Sequence, residues 1–246
     1  MRVLLRLQYL GTRYAGWQSQ ENAESIQTVV EGALSTLCRQ PVRISGAGRT
    51  DAGVHAEDQR AHLDLQLPIP LRGLVLGVND LLPPDVRLVD AVEVDPEFHA
   101  RFAARWKTYR YQIWNHEIAD PFRAPTHTQV RGALDEGRME DAARRLVGSH
   151  DFRTFTVAEP EVDSTSRTVT SASVEREGAA IRIRVRADGF LRYMARRIAG
   201  HLIEIGRGKL PAESIEAALE PRYEPARWTA PAEGLVLERI EYGETD

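Results

Sequence analysis

The sequence predicts an α+β fold in which antiparallel sheets carry helices on one face. Several segments alternate apolar and polar residues, as strands with one buried face do, and the segments between them repeat apolar residues every three or four positions, as helices do. At 246 residues the chain is long enough for two domains of roughly 100 to 150 residues each. We predict an N-terminal domain over residues 1–103 and a C-terminal domain over residues 104–246.

The N-terminal domain is predicted to contain three strands and two helices. The first strand ends at Tyr9, Ser25 caps a helix that ends before Pro41, and a second strand starts near Gln59. A short helix and a strand over residues 86–94 complete the domain. The apolar positions that indicate the first four elements are Val3, Leu5, Leu7 and Tyr9; Ile26, Val29, Val30, Ala33, Leu34 and Leu37; Ala61, Leu63, Leu65 and Leu67; and Leu71, Leu74, Val75 and Val78.

The C-terminal domain is predicted from the same two periodicities. Acidic residues precede and begin its first helix, where the positive end of the helix dipole stabilises negative charge. Glu177-Gly178 indicates a turn between two strands. The predicted elements are a strand within residues 101–116, a helix over 139–147, strands over 167–175 and 180–187, a helix over 191–202 and a strand over 235–242.

The composition excludes several classes of protein. The single cysteine, Cys38, cannot form an intramolecular disulfide or a Cys-x-x-Cys zinc site, which favours a cytoplasmic location. Residues 1–10 lack the cleavage pattern of a signal peptide, and no segment approaches the roughly 20 apolar residues of a membrane span. We therefore expect neither a membrane partner nor a structural disulfide.

Positive charge is concentrated in two blocks although the chain is acidic overall. The formal net charge is −4, yet residues 101–116 hold four basic residues and no acid, with five aromatic residues among them. Residues 181–203 hold six arginines and one aspartate. Such blocks indicate either RNA-binding surfaces, with cations for phosphates and rings for unstacked bases, or strands and helices with solvated basic faces. The pattern alone leaves both interpretations open.

A glycine-rich stretch over residues 46–56 carries one carboxylate, Asp51, between Arg49 and His55. Three glycines within eight residues cost folding entropy, which favours a loop that positions a functional group. The spacing does not match a dinucleotide fingerprint, and no Gly-Lys-Ser/Thr follows as in a phosphate loop. The alternative is a turn that the Asp51 side chain closes.

This stretch and other motifs resemble the tRNA pseudouridine synthase A family over nearly the whole chain. Gly46–Ala56 contains the Gly-Arg-Thr-Asp-Ala-Gly-Val-His signature without a gap, and Leu10 departs from the aspartate that the family usually has there. The supporting matches are Gly16-Trp17-Gln18, Asn79 before Leu82-Pro83, Phe98-His99-Ala100-Arg101-Phe102, Lys107-x-Tyr109-x-Tyr111, His150-Asp151-Phe152, Gly189-Phe190-Leu191, Met194-x-Arg196 and Gly234-Leu235-x-Leu237.

The resemblance implies a role for each matching site residue. Asp51 is the nucleophile, Arg196 its cationic partner, and Tyr109 the ring that stacks on the target uracil. A nearby guanidinium favours the charged carboxylate, which agrees with the pairing. Arg49 is suited to fill the place that a flipped base leaves in the stem. Leu235 is assigned to substrate binding, and the expected RNA contacts are Lys107, Arg110, Arg182, Arg184 and Gln18.

The implied reaction isomerises uridine to pseudouridine in the anticodon stem-loop of tRNA, at positions 38 to 40. Because reactant and product are isomers, the reaction needs no cofactor, and His55, His62 and His99 lack metal-ligand spacing. The sequence leaves open whether Asp51 attacks C1′ or C6, or removes the C2′ proton. The resemblance further implies a homodimer in which each chain has two similar halves with the active-site cleft between them.

Two other functions compete with this one. A non-catalytic RNA-binding protein with the same fold is disfavoured because Asp51, Tyr109 and Arg196 are all present. A hydrolase that uses Asp51 against a glycosidic bond requires a second carboxylate as acid. Glu57 and Asp58 are close in sequence, but no pattern recruits either of them.

Overall fold

The computed structural model describes residues 1–66, 69–157, 164–220 and 228–243, and these form a mixed α+β structure with largely antiparallel strands, as predicted. Within the described ranges the elements are β1 (Arg2–Tyr9), α1 (Ile26–Cys38), β2 (Ser45–Gly46), β3 (His55–Asp64), α2 (Leu71–Leu81), β4 (Val86–Val94), β5 (Ala104–Trp114), β6 (Thr128–Gln129), α3 (Glu136–Arg144), β7 (Gly148–Asp151), β8 (Ser166–Glu177), β9 (Ala180–Ala187), α4 (Met194–Gly206), α5 (Ser214–Leu219) and β10 (Leu235–Tyr242).

The chain divides into two compact units. Unit 1 comprises Met1–Arg105 and Leu237–Asp246, and unit 2 comprises Trp106–Val236. The domain division predicted from the sequence remains a prediction, because compactness does not show that either part folds alone. The two divisions differ at the final strand, whose residues from Leu237 onward belong to unit 1.

In unit 1 the strand order is β4-β1-β3-β10, with β2 paired to β3. Strand β1 is antiparallel to both β3 and β4, and Leu5 lies opposite Ala61 on one side and Ala91 on the other. The predicted buried face of β1 is present, since Val3, Leu5 and Leu7 are fully buried, but Leu4 on the opposite face is buried as well. Burying this row of side chains is what fixes the register of the three strands.

The helices of unit 1 begin and end where the sequence indicates. The Ser25 hydroxyl accepts a hydrogen bond from the Thr28 amide at 3.1 Å and caps α1, and Arg39 ends that helix in the left-handed conformation. Helix α2 ends at Leu81, just before Pro83. Strand β3 starts at His55, four residues earlier than predicted. The predicted core residue Leu67 lies outside the described residues.

In unit 2 the strand order is β5-β9-β8-β7, and β6 pairs in parallel with β5. Helix α3 starts at Glu136, three residues earlier than predicted, because the Asp135 carboxylate accepts a hydrogen bond from the Arg138 amide. Helix α4 starts at Met194, three residues later than Leu191. Helix α5 has no counterpart in the prediction. No helix among the described residues is both long and apolar enough to cross a membrane.

Candidate active site

The loop that carries Asp51 connects β2 to β3 and is fixed by hydrogen bonds to buried groups. The Tyr9 hydroxyl lies 2.9 Å from the Thr50 hydroxyl, and the Gln59 side-chain amide donates to the Gly48 carbonyl at 3.0 Å. Burial raises the pKa of Tyr9 to about 12, so this hydroxyl stays protonated at neutral pH. Asp51 is half-buried at the tip of this supported loop.

The loop that follows β1 packs directly on the Asp51 loop through its main chain. The Trp17 amide donates to the Thr50 carbonyl at 3.0 Å. A Cβ at Gly11 would lie 2.0 Å from the Val54 carbonyl oxygen, and one at Gly16, whose φ is +91°, would lie 2.6 Å from the Thr50 oxygen. Both positions therefore require glycine, because any side chain would push the two loops apart.

His55 supports this contact. Its Nδ1 atom accepts a hydrogen bond from the Gly11 amide at 2.9 Å, and the ring is buried. His62 has a similar role, since its Nδ1 accepts from the Ala100 amide, and its ring contacts His99. No group of three or more histidine, cysteine or acidic side chains in the described part of the chain is arranged to hold a metal ion.

Arg49 and Gln18, two predicted site residues, are in contact beside Asp51. The exposed Arg49 donates from Nε to the Gln18 Oε1 atom at 3.1 Å, and Gln18 donates to the Gln27 side chain at 2.9 Å. Gln27 in turn donates to Glu31 one turn later on α1. Gln27 and Glu31 are not among the predicted site residues, although their i, i+4 spacing on a predicted helix is a signal for such a pair.

Tyr109 lies on β5 in unit 2, directly opposite Val185 on β9. Its ring is largely buried and meets the Phe190 ring edge-on, with centroids 4.8 Å apart. Side chains of a strand alternate between faces, so Lys107 shares the face of Tyr109, whereas Arg110 lies on the other.

The predicted arginine row of β9 lies on the same face as Arg110. Arg184 is opposite Arg110, and Arg182 is opposite Gln112. Acids on β8 balance part of this charge, because Arg184 pairs with Glu175 at 2.8 Å and Arg182 with Glu177 at 2.9 Å. The expected RNA contacts of unit 2 are thus divided between two faces of one sheet.

Arg196 lies on the first turn of α4 and is held by main chain on one side and by a ring on the other. Its Nε donates to the Ala230 carbonyl at 2.8 Å, and its guanidinium carbon lies 5.2 Å from the centre of the Tyr193 ring. The Ala230 amide returns a bond to the Arg196 carbonyl at 3.1 Å. Tyr193 is not among the residues that the sequence predicts for this site.

Leu235 is buried at the start of β10. The segment before it is attached to β5 by Tyr111, whose hydroxyl lies 2.6 Å from the Thr128 hydroxyl and donates to the Pro231 carbonyl at 2.9 Å. Burial raises the pKa of the Tyr111 hydroxyl, which therefore remains a donor at neutral pH. Unit 1 thus brings together Asp51, Arg49 and Gln18, and unit 2 carries the remaining predicted site residues.

Comparison with known proteins gives consistent matches. A family model described as tRNA pseudouridine synthase matches residues 142–243. A protein of Myxococcus xanthus named tRNA pseudouridine synthase A is 43% identical to this chain, over 98% of this chain and 92% of that protein. A protein of the same name from Geobacter sulfurreducens is 44% identical, over 98% of this chain and 99% of that protein. A solved Cbf5-Nop10-Gar1 complex contains a chain with a TM-score of 0.40 and 12% identity, over 82% of this chain and 45% of that one, which is too weak to support an argument.

Proposed function

This chain belongs to the tRNA pseudouridine synthase A family, and we propose that it isomerises uridine to pseudouridine in the anticodon stem-loop of tRNA, at positions 38 to 40, with Asp51 as the nucleophile. Membership of an isomerase family supports the reaction. The observation that carries the role of Asp51 is its loop, which hydrogen bonds and two glycine contacts fix to the rest of unit 1. Such rigidity is what a nucleophile needs in order to meet its target without reorganisation.

The proposed reaction conserves all atoms and consumes nothing. The N1–C1′ bond of uridine breaks, the uracil turns in place, and a C5–C1′ bond forms. C5 then loses its proton and N1 gains one. Asp51 attacks C1′ or C6, or removes the C2′ proton, and each route uses the ionised carboxylate.

The other site residues are proposed to prepare this step. Arg196 stabilises the charged form of Asp51, and Tyr109 stacks on the flipped uracil. Leu235 provides an apolar contact for the base. Arg49 is exposed beside the nucleophile, which suits a side chain that enters the stem when the base leaves.

RNA binding is proposed to depend on Gln18, Lys107, Arg110, Arg182 and Arg184. If about five phosphates are contacted, the logarithm of the tRNA association constant should fall with the logarithm of salt concentration with a slope of roughly −3 to −5. A flat response between low and physiological salt would contradict these contacts. We also propose a homodimer in the cytoplasm, which light scattering and cell fractionation would test.

Release of tritium from tRNA labelled at uridine C5 tests the proposed reaction, because the C5 proton leaves only when the new bond forms. The wild-type protein should release tritium, and Asp51→Asn should release none while it binds tRNA with nearly unchanged affinity. The amide has the same shape as the carboxylate but cannot act as a nucleophile. Turnover by purified Asp51→Asn would refute the assignment.

The hydrolase alternative receives no support from the acids near Asp51. Asp58 is buried, accepts from Arg60 Nε at 2.7 Å and from the Ile240 amide at 2.9 Å, and so serves as a structural acceptor. Glu57 is exposed on β3. The tritium assay also tests this alternative, since a hydrolase would free uracil and form no pseudouridine.

A further inference from the structure

Tyr193 adopts a backbone conformation that an aromatic residue rarely adopts. Its φ of 62° and ψ of −1° are left-handed, and it stands at the N-cap of α4 without a side-chain capping bond. An extended residue with a capping oxygen is usual there. The other non-glycine residue of positive φ in the described part of the chain is Arg39, at the end of α1, where left-handed geometry is common. The strain at Tyr193 thus has no explanation in helix capping.

The Tyr193 ring contacts two arginines of its own segment. The guanidinium carbon of Arg192 is 5.1 Å from the ring centre, and that of Arg196 is 5.2 Å away. Both distances are within the range of cation–π attraction. Arg196 also donates from Nε to the Ala230 carbonyl, so its guanidinium is restrained at one face and at one edge.

The carbonyl that accepts this bond is itself fixed. Helix α4 approaches residues 228–230 so closely that a Cβ at Gly200 would lie 2.4 Å from the Trp228 carbonyl oxygen. The Ala230 amide donates to the Arg196 carbonyl one turn earlier on the same helix. The ring of Tyr193, unlike the Ala230 carbonyl, is a restraint on Arg196 that a side-chain substitution can remove while the main-chain bonds stay in place.

We propose that Tyr193 is a positioning residue, whose left-handed backbone places its ring so that the plane of the Arg196 guanidinium is fixed. A guanidinium donates its hydrogen bonds within its plane, so the orientation of that plane decides whether the group can meet a carboxylate. This inference rests on the proposed role of Arg196 toward Asp51. Backbone strain at Tyr193 is then retained for function and not for stability.

Single-turnover kinetics on four variants test the proposal. Tyr193→Phe keeps the ring and should react within twofold of wild type. Tyr193→Gly and Tyr193→Asn accept the left-handed conformation but lack the ring, and their rate constants should fall about 3- to 30-fold with KM changed less than twofold. Their unfolding midpoints should be no lower than about 3 °C below wild type. Arg39→Gly, which relieves the other left-handed residue, should leave the rate unchanged.

A double-mutant cycle separates positioning from a general structural effect. In an Arg196→Met background, Tyr193→Gly should cause no further loss, because the group on which it acts is gone. If Tyr193→Gly causes the same loss of rate in both backgrounds, or if Tyr193→Phe loses as much rate as Tyr193→Gly, the positioning role of Tyr193 is wrong. Either result would leave the proposed function untouched. Full activity of Arg196→Met, or no tritium release by wild type, would overturn the proposed function as well.

Discussion

The Asp51 loop of unit 1 and the Arg196 segment of unit 2 are held in position by different kinds of contact. Main-chain amides and carbonyls, together with glycines that permit close approach, fix the loop to the segment after β1. The Tyr9 and Gln59 side chains support it from β1 and β3. The Arg196 side chain contacts a carbonyl and an aromatic ring, in addition to the main-chain bond between Arg196 and Ala230. Asp51, the proposed nucleophile, is thus placed mainly by the main chain of its loop, whereas the guanidinium of Arg196, its proposed partner, is restrained through contacts of the side chain itself.

This difference determines how each region should respond to substitution. A main-chain contact has no side chain to truncate, so it fails only when an added atom forces the loops apart. A side-chain contact can be weakened in steps, because each substitution removes one partner and leaves the backbone in place. Substitutions at the glycines that contact the Asp51 loop should therefore act through stability, and those around Arg196 through the rate of the chemical step.

Among the substitutions in unit 2, the largest effect on rate should come from Arg196→Met. We expect turnover at saturating tRNA to fall roughly 100- to 1000-fold, the range seen when one electrostatic stabiliser is lost, with the fold intact. Arg184→Met on β9 is the matched control, since it removes the same charge from a sheet face and should mainly weaken tRNA binding. Equal losses of turnover in the two variants would show that the roles of these arginines are wrongly divided.

Gly11→Ala should break the main-chain contact of unit 1. The added Cβ would lie 2.0 Å from the Val54 carbonyl oxygen, so we expect a loss of about 2–4 kcal/mol in the free energy of unfolding. Gly73→Ala in α2 is the control, because nothing lies within 4 Å of its Cβ and a helical alanine should stabilise by about 1 kcal/mol. Urea denaturation measures both, and equal stability of the two variants would contradict the close packing.

Tyr109 provides a smaller, stepwise test in unit 2. Tyr109→Ala should weaken binding of the flipped base by about 1–3 kcal/mol, whereas Tyr109→Phe keeps the stacking surface. If the hydroxyl helps to remove the C5 proton, Tyr109→Phe should stall after the glycosidic bond breaks. Rapid-quench turnover with excess tRNA distinguishes the two roles, and normal turnover in Tyr109→Ala would exclude the residue from the active site.

The smallest effect concerns His201, which lies on α4 with its Nε2 atom 2.8 Å from the Ser214 hydroxyl. Burial lowers its pKa to about 4, so the unfolded chain, with a histidine pKa near 6.5, binds the proton more readily. Stability from this group is complete well above pH 6.5 and is lost as the pH falls, by about 2 kcal/mol at pH 5 for a shift of this size. His201→Gln should lose less over that range in urea titrations, and parallel curves would contradict the prediction.

The sequence was sufficient where local chemistry determines structure. The buried row of β1 and the Ser25 cap of α1 follow from periodicity and capping preference, and both are present. The glycine-rich signature located the Asp51 loop. The packing of the Asp51 loop also requires glycine at positions 11 and 16 of the preceding loop. The sequence does not predict this requirement, because the carbonyl groups that impose it belong to residues about 35 to 45 positions away.

The later start of α4 shows where sequence reasoning fails. Leu191 continues the helical periodicity and is buried, yet the helix begins only at Met194 because Tyr193 turns the chain in a left-handed conformation. No propensity predicts that conformation for tyrosine. The contact between Tyr193 and Arg196 is not predicted either, because it depends on this turn.

The position of β10 has a consequence for protein synthesis. Within unit 1 this strand lies next to β3, and the Ile240 amide donates to the buried Asp58 carboxylate across a separation of 182 residues. A ribosome that has translated the whole of residues 1–105 has therefore not yet supplied the last strand of that unit. Asp58 gains this donor only after the last residues of the chain have been synthesised. A stop codon before Ile240 would therefore damage unit 1, although most of that unit is encoded at the start of the gene.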